Sequence, residues 1–237
     1  QLAGSLNPPF RYFFMPLWDV ASSACFSNQK LRCNQIPGRA VQLEARPAEG
    51  WTNLPESKRP PLEFDIVVPP TYVEGYPMHV LMYASTDTGY DRMLISESKD
   101  AAQAITDITH GELGPWITKN FKARDYERDG RFRFQILQLT PDGKNFKLYQ
   151  SAINMAEPYS VPSSLSKEVE AVAGTYMEVD DPWAFMDGWM APELYLDQLQ
   201  MHANWWGNAT KYVLEHQQWD MAFSWVGTID HIEHVLY

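Results

Sequence analysis

The feature that most constrains this chain is an apolar run that ends abruptly in a carboxylate and two imidazoles. Residues 219–229, WDMAFSWVGTI, are short and apolar and mix aromatic with β-branched side chains. That composition reads as a core β-strand of an α/β sheet. Directly behind it stand Asp230, His231, Glu233 and His234. Open α/β sheets gather their ligands just past the carboxyl ends of their strands. A helix opening at Asp230 carries His234 one turn on, along the same face. A carboxylate and an imidazole so placed can hold one divalent metal ion. The plainer reading makes Asp230 a helix N-cap with a surface histidine behind it.

Upstream, the chain divides into three regions. Residues 1–40 read as an irregular, aromatic-rich segment: a Pro pair, the aromatic residues of 10–14, then Ser and Asn around Cys25 and Cys33. Residues 41–160 alternate short strand-like runs with turn signals, the pattern of a β-rich insertion. Strands are expected over 64–68, 79–84, 92–96, 131–139 and 146–151. Asp129-Gly130 and Asp142-Gly143 mark tight turns, and residues 141–144 join two strands as the clearest hairpin. A short helix is expected over 99–108. Residues 161–237 become helical before returning to an α/β core. A Ser-capped helix covers 163–173, and Pro192 opens a longer one. Leu194, Leu196, Leu199, Trp205, Trp206, Tyr212, Val213 and Leu214 give that helix its apolar face, with Gly207 a candidate kink. No repeat, low-complexity segment or Gly-rich phosphate loop interrupts the pattern.

Composition sets the class and excludes some functions. At 237 residues with 45% hydrophobic and 21% charged side chains, the chain has ample length for a core, as one domain or two small ones. The formal charge is −11, and Lys and Arg are scattered. A protein tracking long nucleic acid carries a basic stripe instead. A small phosphoester is compatible with the acidic surface, because bound metal ions reverse the local charge. No run of eighteen apolar residues exists to span a membrane. Compartment stays open. Cys25 and Cys33 suit either a small-loop disulfide or two free thiols. Asn208-Ala209-Thr210 matches a glycosylation acceptor but sits in a helical stretch.

Other polar groups have two readings each. Glu178, Asp180 and Asp181 form either a cation site or a solvated acidic loop capping a helix at Pro182. Arg131 and Arg133 share a strand face that is either exposed or ready for an anionic substrate. Ser22 and Ser23 lack the His/Asp pattern of a nucleophile, and His202 and His216 fit surface or packing roles.

Several segments, in order, carry a resemblance. The turn GELGPWI at 111–117 is similar to a "GEWS-W" turn, and FRFQIL at 132–137 with FKLYQSAI at 146–153 to paired strands ending in "LYxSPI". Gly174-Thr175-Tyr176 with an acidic step precedes the long helix, and the apolar strand leads into D-x-x-x-H. Over roughly residues 40–237 the chain thus resembles the phosphodiesterase, nucleotide pyrophosphatase and phosphomutase-like branch of the alkaline phosphatase superfamily. That resemblance implies a partial alkaline-phosphatase-like α/β sheet with a β-rich insertion and flanking helices. It implies metal-dependent hydrolysis of a small phosphoester with two divalent ions, usually zinc. Asp230 and His234 would be ligands of one ion, with His231 and Glu233 as neighbours orienting them. The superfamily's Ser or Thr nucleophile, first Asp ligand and later Asp-His pair have no counterpart in this sequence, so the catalytic nucleophile is unknown. The expectation is therefore an inner portion of a longer enzyme. The alternative is a non-catalytic binding or structural module, one subunit of a larger assembly, with its many aromatics serving an interface.

Overall fold

The computed structural model describes residues 21–34, 38–70, 75–123, 126–156, 158–176, 180–224 and 226–236. In chain order the strands are β1 (Ala24–Ser27), β2 (Ala40–Gln42), β3 (Arg46–Pro47), β4 (Leu62–Val68), β5 (Tyr76–Tyr83) and β6 (Arg92–Ser96). A 3-10 turn (Ala101–Gln103) follows, then β7 (Thr106–Thr109), β8 (Ile117–Ala123), β9 (Tyr126–Phe132), β10 (Phe134–Leu139), β11 (Phe146–Gln150) and β12 (Asn154–Met155). The helices α1 (Ser164–Ala173), α2 (Pro182–Met186), α3 (Pro192–His216) and α4 (Thr228–Leu236) complete the chain. The class is mixed α/β.

The strands form a five-stranded sheet, β3-β4-β5-β6-β7, a four-stranded sheet, β10-β11-β1-β2, and a three-stranded sheet, β12-β9-β8. Period-2 patterning builds their shared core. Phe64, Ile66 and Val68 of β4, with Met78, Val80 and Met82 of β5, turn one way and meet Phe26, Phe146 and Leu148 of the four-stranded sheet. Phe64 stacks on Phe146 with centroids 4.6 Å apart, joining the two sheets at their centre. Edge-to-face contacts run from Phe121 through Phe132 to Phe134 and tie in the third sheet. The far face of β1 and β11 carries Cys25 and Tyr149, partners in register. Both bury against Ala184, Trp189, Tyr195 and Leu199 of the helical region. The candidate site lies on that face.

Several local expectations are met. The strands at β4, β5, β6 and β11 lie where alternation places them, and residues 141–144 close the β10–β11 hairpin with Gly143 at φ 71°. Pro192 does open the long helix, which passes through Gly207 without a break.

Other expectations are corrected. The described residues of 219–229 form no strand. Residues 219–224 and 226–227 run as coil or turn, with Phe223 91% and Met221 71% exposed, and Thr228 and Ile229 already belong to α4. They pair with no strand among the described residues, so β-propensity there is not realised. The mainly parallel sheet is absent too: β1 with β2 is the parallel pair, and the other strand pairs are antiparallel among the described residues. Residues 99–108 hold a 3-10 turn and strand β7 in place of a helix. Asp129-Gly130 is no turn. It lies inside β9, where a Cβ on Gly130 would come within 2.6 Å of Ile153 and 2.8 Å of Phe121. Residues 1–20 and 35–37 lie outside the described residues, but β1, inside the segment expected to be irregular, is buried throughout. The N-terminal end of α1 is satisfied by Ser160, whose hydroxyl accepts from Ser166 N at 2.7 Å, and not by Ser163. On α3, Leu196 faces solvent, while Tyr195, His202 and Ala209 join the buried face.

Candidate metal half-site and its adjoining cavity

The site begins at the turn into α2. Asp181 is its N-cap, accepting from Ala184 N at 3.0 Å through Oδ1. Pro182 fixes the first turn behind it. Asp181 is thus a helix cap, and the acidic pair is buried, with Asp180 and Asp181 3% and 8% exposed. Glu178 lies outside the described residues.

A buried carboxylate needs compensation. Arg39, 1% exposed, contacts both Asp181 oxygens at 3.0 Å. The Tyr149 hydroxyl donates to Asp181 at 2.9 Å, and Ser23 donates to the same oxygen. Burial, with the Asp181 charge beside it, holds the Tyr149 phenol well above its ordinary range. Arg39 is itself anchored by Ser23 O at 2.8 Å and lies over the Trp189 ring, 4.9 Å from its centroid. The four-stranded sheet supplies Tyr149 from β11, with Ser23 and Arg39 from the residues just before β1 and β2. The helical region supplies the carboxylate.

Asp180 performs a parallel task for α4. It accepts from the Tyr195 hydroxyl at 2.7 Å and from His231 Nδ1 at 2.5 Å. Burial pushes the Asp180 carboxyl up, but the His231 and Tyr195 bonds outweigh it and leave it below the usual range. The same bond raises His231, against the opposing pull of burial. His202 takes the Trp206 indole N–H at Nε2, so its proton sits on Nδ1, 3.2 Å from the Thr228 hydroxyl at the start of α4. His202, expected as a surface or packing residue, thus helps hold α4. His216 is exposed and stacks on Tyr212.

Between these elements lies a cavity of about 500 Å³, lined by Ser22, Arg39, Asp180, Trp183, His231 and His234 among others. On the adjoining helix, Asp230 Oδ1 stands 3.5 Å from His234 Nε2, with side chains 59% and 79% exposed. Zinc takes oxygen and nitrogen donors at about 2.0–2.2 Å, so two corners of its tetrahedron are roughly 3.3–3.6 Å apart. The pair fits two ligands of one ion. The pair sits on an exposed helix face, which corrects the expected place at the carboxyl edge of a sheet. His231 turns away toward Asp180, as its position on the helix requires. Among the described residues no group of three or more His, Cys, Asp or Glu could close around a metal, so Asp230 and His234 stand as a pair with no further such ligand beside them.

Cys25 is a buried thiol, pushed up to about 12 by burial, and no disulfide joins it to the half-buried Cys33. Arg131 and Arg133 separate: Arg131 pairs with Glu170, and Arg133 turns toward Trp116. The sequence singled out Asp230, His234, the acidic pair and the serines. It missed Arg39, whose only signal is the buried carboxylate it serves. Among the described residues no helix is long and apolar enough to cross a membrane. Comparison with protein-family models, with curated proteins and with solved structures found no match.

Proposed function

We propose that this chain is part of a metal-dependent phosphoester hydrolase of the alkaline phosphatase kind, acting on a small phosphoester, with its strands as the β-rich insertion of that partial fold. The observation that carries the reading is the 3.5 Å approach of Asp230 to His234 beside a cavity that His234 lines. The order of segments resembling the phosphodiesterase branch supports it. Asp230 and His234 would hold one divalent ion, zinc in the first instance, as two of its protein ligands. Such an ion polarises a phosphoryl oxygen and activates a nucleophile when bound. His231 and Asp180 keep the helix seated, so the two donors stay in reach of the cavity. Ser23 and Arg39 are committed to Asp181 and shape the cavity wall. Turnover of bis(p-nitrophenyl) phosphate with zinc tests the reading, in the protein carrying this chain and in its Asp230→Ala and His234→Ala variants. The reading requires zinc-dependent turnover that both substitutions abolish with the fold intact. Equal turnover in all three overturns it.

A second reading rests on the exposed apolar side chains of Trp219, Met221, Phe223 and Ile229, which would suit an interface in a non-catalytic module. The same assay separates the two, since a module shows no zinc-dependent turnover.

A further inference from the structure

A second cavity, of about 340 Å³, opens between the outer face of β10 and β11 and helix α3. Its construction begins at residues 111–116. Gly111 turns the chain at φ 86°, and Gly114 lets the loop lie flat on β10. A Cβ on Gly114 would come within 2.8 Å of the Phe134 carbonyl, and Gly114 N donates to that oxygen at 2.9 Å. The loop therefore delivers Trp116 onto Arg133, whose guanidinium lies 4.3 Å from the ring centroid.

Arg133 stands at the break between β9 and β10, and its backbone is fixed by Ser151. Its N–H donates to Ser151 Oγ at 3.1 Å, and its carbonyl accepts from Ser151 N at 3.0 Å. Among the described residues the guanidinium has one side-chain hydrogen bond, to the Met201 sulfur at 3.2 Å, a weak acceptor. It has no carboxylate partner among the described residues. Burial pulls it down to about 10, opposed only by the Tyr149 phenol. It stays charged at neutral pH, half-buried and uncompensated, which is a costly arrangement. Gln135 lines the same cavity, is 6% exposed, and its side-chain amide has no partner among the described residues. Trp116, Leu194 and Met201 supply apolar walls. The carboxylates at this cavity do not reach Arg133: Asp181 is neutralised by Arg39, and Asp197 is exposed on α3.

We propose that this cavity binds a small organic oxyanion, a carboxylate or phosphoryl group on an apolar body, with Arg133 as its counter-charge and Gln135 as a hydrogen-bonding partner. A planar oxyanion matches the guanidinium fork, and the indole face that holds Arg133 continues as a wall for the apolar body. The volume suits a fragment of one ring. The proposal is independent of the phosphoesterase reading, since it uses neither Asp230 nor His234.

The test is titration of the chain, in EDTA so that no metal takes part, with phenyl phosphate and with benzoate. Neutral benzyl alcohol serves as the control. The readout is the Trp116 indole N–H resonance, assigned from its absence in Trp116→Phe. Saturable shifts with either anion at about 1 mM or below, an affinity ordinary for ligands of this size, and none with benzyl alcohol, are expected. Phenyl phosphate and benzoate in parallel tell phosphoryl from carboxylate preference. Arg133→Gln should weaken binding at least about tenfold, and His234→Ala should leave it unchanged. No saturable shift with either anion overturns the proposal. So does equal affinity in Arg133→Gln. If Arg133→Gln does not fold, the wild-type titration decides alone.

Discussion

Arg39 and Asp181 meet at 3.0 Å with both side chains buried, across the seam between the four-stranded sheet and helix α2. Among the described residues each is the other's ion-pair partner at that seam. Losing one partner of a buried pair costs about 3–5 kcal/mol, because the remaining charge is left without solvent. Asp181→Ala also removes the α2 cap and the Tyr149 acceptor. We expect Asp181→Ala to destabilise the protein by that amount or more, read from urea unfolding. Tyr149→Phe, which removes one bond and leaves the pair intact, should cost about 1 kcal/mol. Equal costs for the two would show that the ion pair contributes little.

Glu63 gives a pH dependence of known sign. Burial pushes its carboxyl up, but Lys99 at 2.8 Å, the Trp51 indole at 2.6 Å and Arg46 at 3.0 Å outweigh burial and hold it below the usual range. A carboxyl lowered on folding stabilises the fold above its unfolded value, about 4.3. That contribution is lost as pH falls through the lower folded value. The wild type should exceed Glu63→Gln by about 1–3 kcal/mol at neutral pH. The gap should close under acid, below about pH 4. A gap that does not change with pH contradicts the assignment.

Gly130 tests the packing of the three-stranded sheet. A Cβ there collides with Ile153 and Phe121, both fully buried, so neither can retreat into solvent. Gly130→Ala should cost about 1–3 kcal/mol by overpacking, and Gly130→Val more. A neutral Gly130→Ala would show that the sheet yields at this point.

The Gly130 case shows what was legible in the sequence and what was not. Asp-Gly is a turn signal only when the flanking strands turn back on each other there. Here β9 continues past it, and a neighbour 23 residues downstream, Ile153, demands the missing side chain. Strands β4 to β6 and the 141–144 hairpin were legible because their alternation and turn chemistry are local. Residues 219–229 misled for the opposite reason. β-propensity is realised only against a partner strand, and they pair with none among the described residues. The i, i+4 spacing of Asp230 and His234 was legible because helix geometry alone sets it. The pairing of Asp180 with His231, and of Arg39 with Asp181, joins segments 51 and 142 residues apart, which no local pattern reveals.

Cys25 should be inert in the folded protein. It is fully buried, and a thiol pushed up to about 12 presents almost no thiolate. Iodoacetamide at neutral pH should leave Cys25 unmodified until denaturant is added, read by peptide mass. Alkylation of the native protein at Cys25 would mean that β1 opens readily.

His231 should position the half-site. Its bond to Asp180 ties α4 to the helical region, beside the His202–Thr228 contact and the apolar contacts of Ile232 and Val235. His231→Ala should speed hydrogen exchange across α4 at least about tenfold, while α3 stays protected. Unchanged exchange would assign the docking to the His202–Thr228 and apolar contacts.

Cobalt binding, followed by its visible absorption, tests the central claim most directly, because Asp230 and His234 either share one ion or do not. A single cobalt site is expected, displaced by zinc and weakened at least about tenfold by His234→Ala and by Asp230→Ala. His216→Ala, at an exposed imidazole on α3, should leave it unchanged. Cobalt affinity that survives both site substitutions, or no displaceable site in the unaltered chain, would contradict the account and leave Asp230 and His234 as neighbours on a helix.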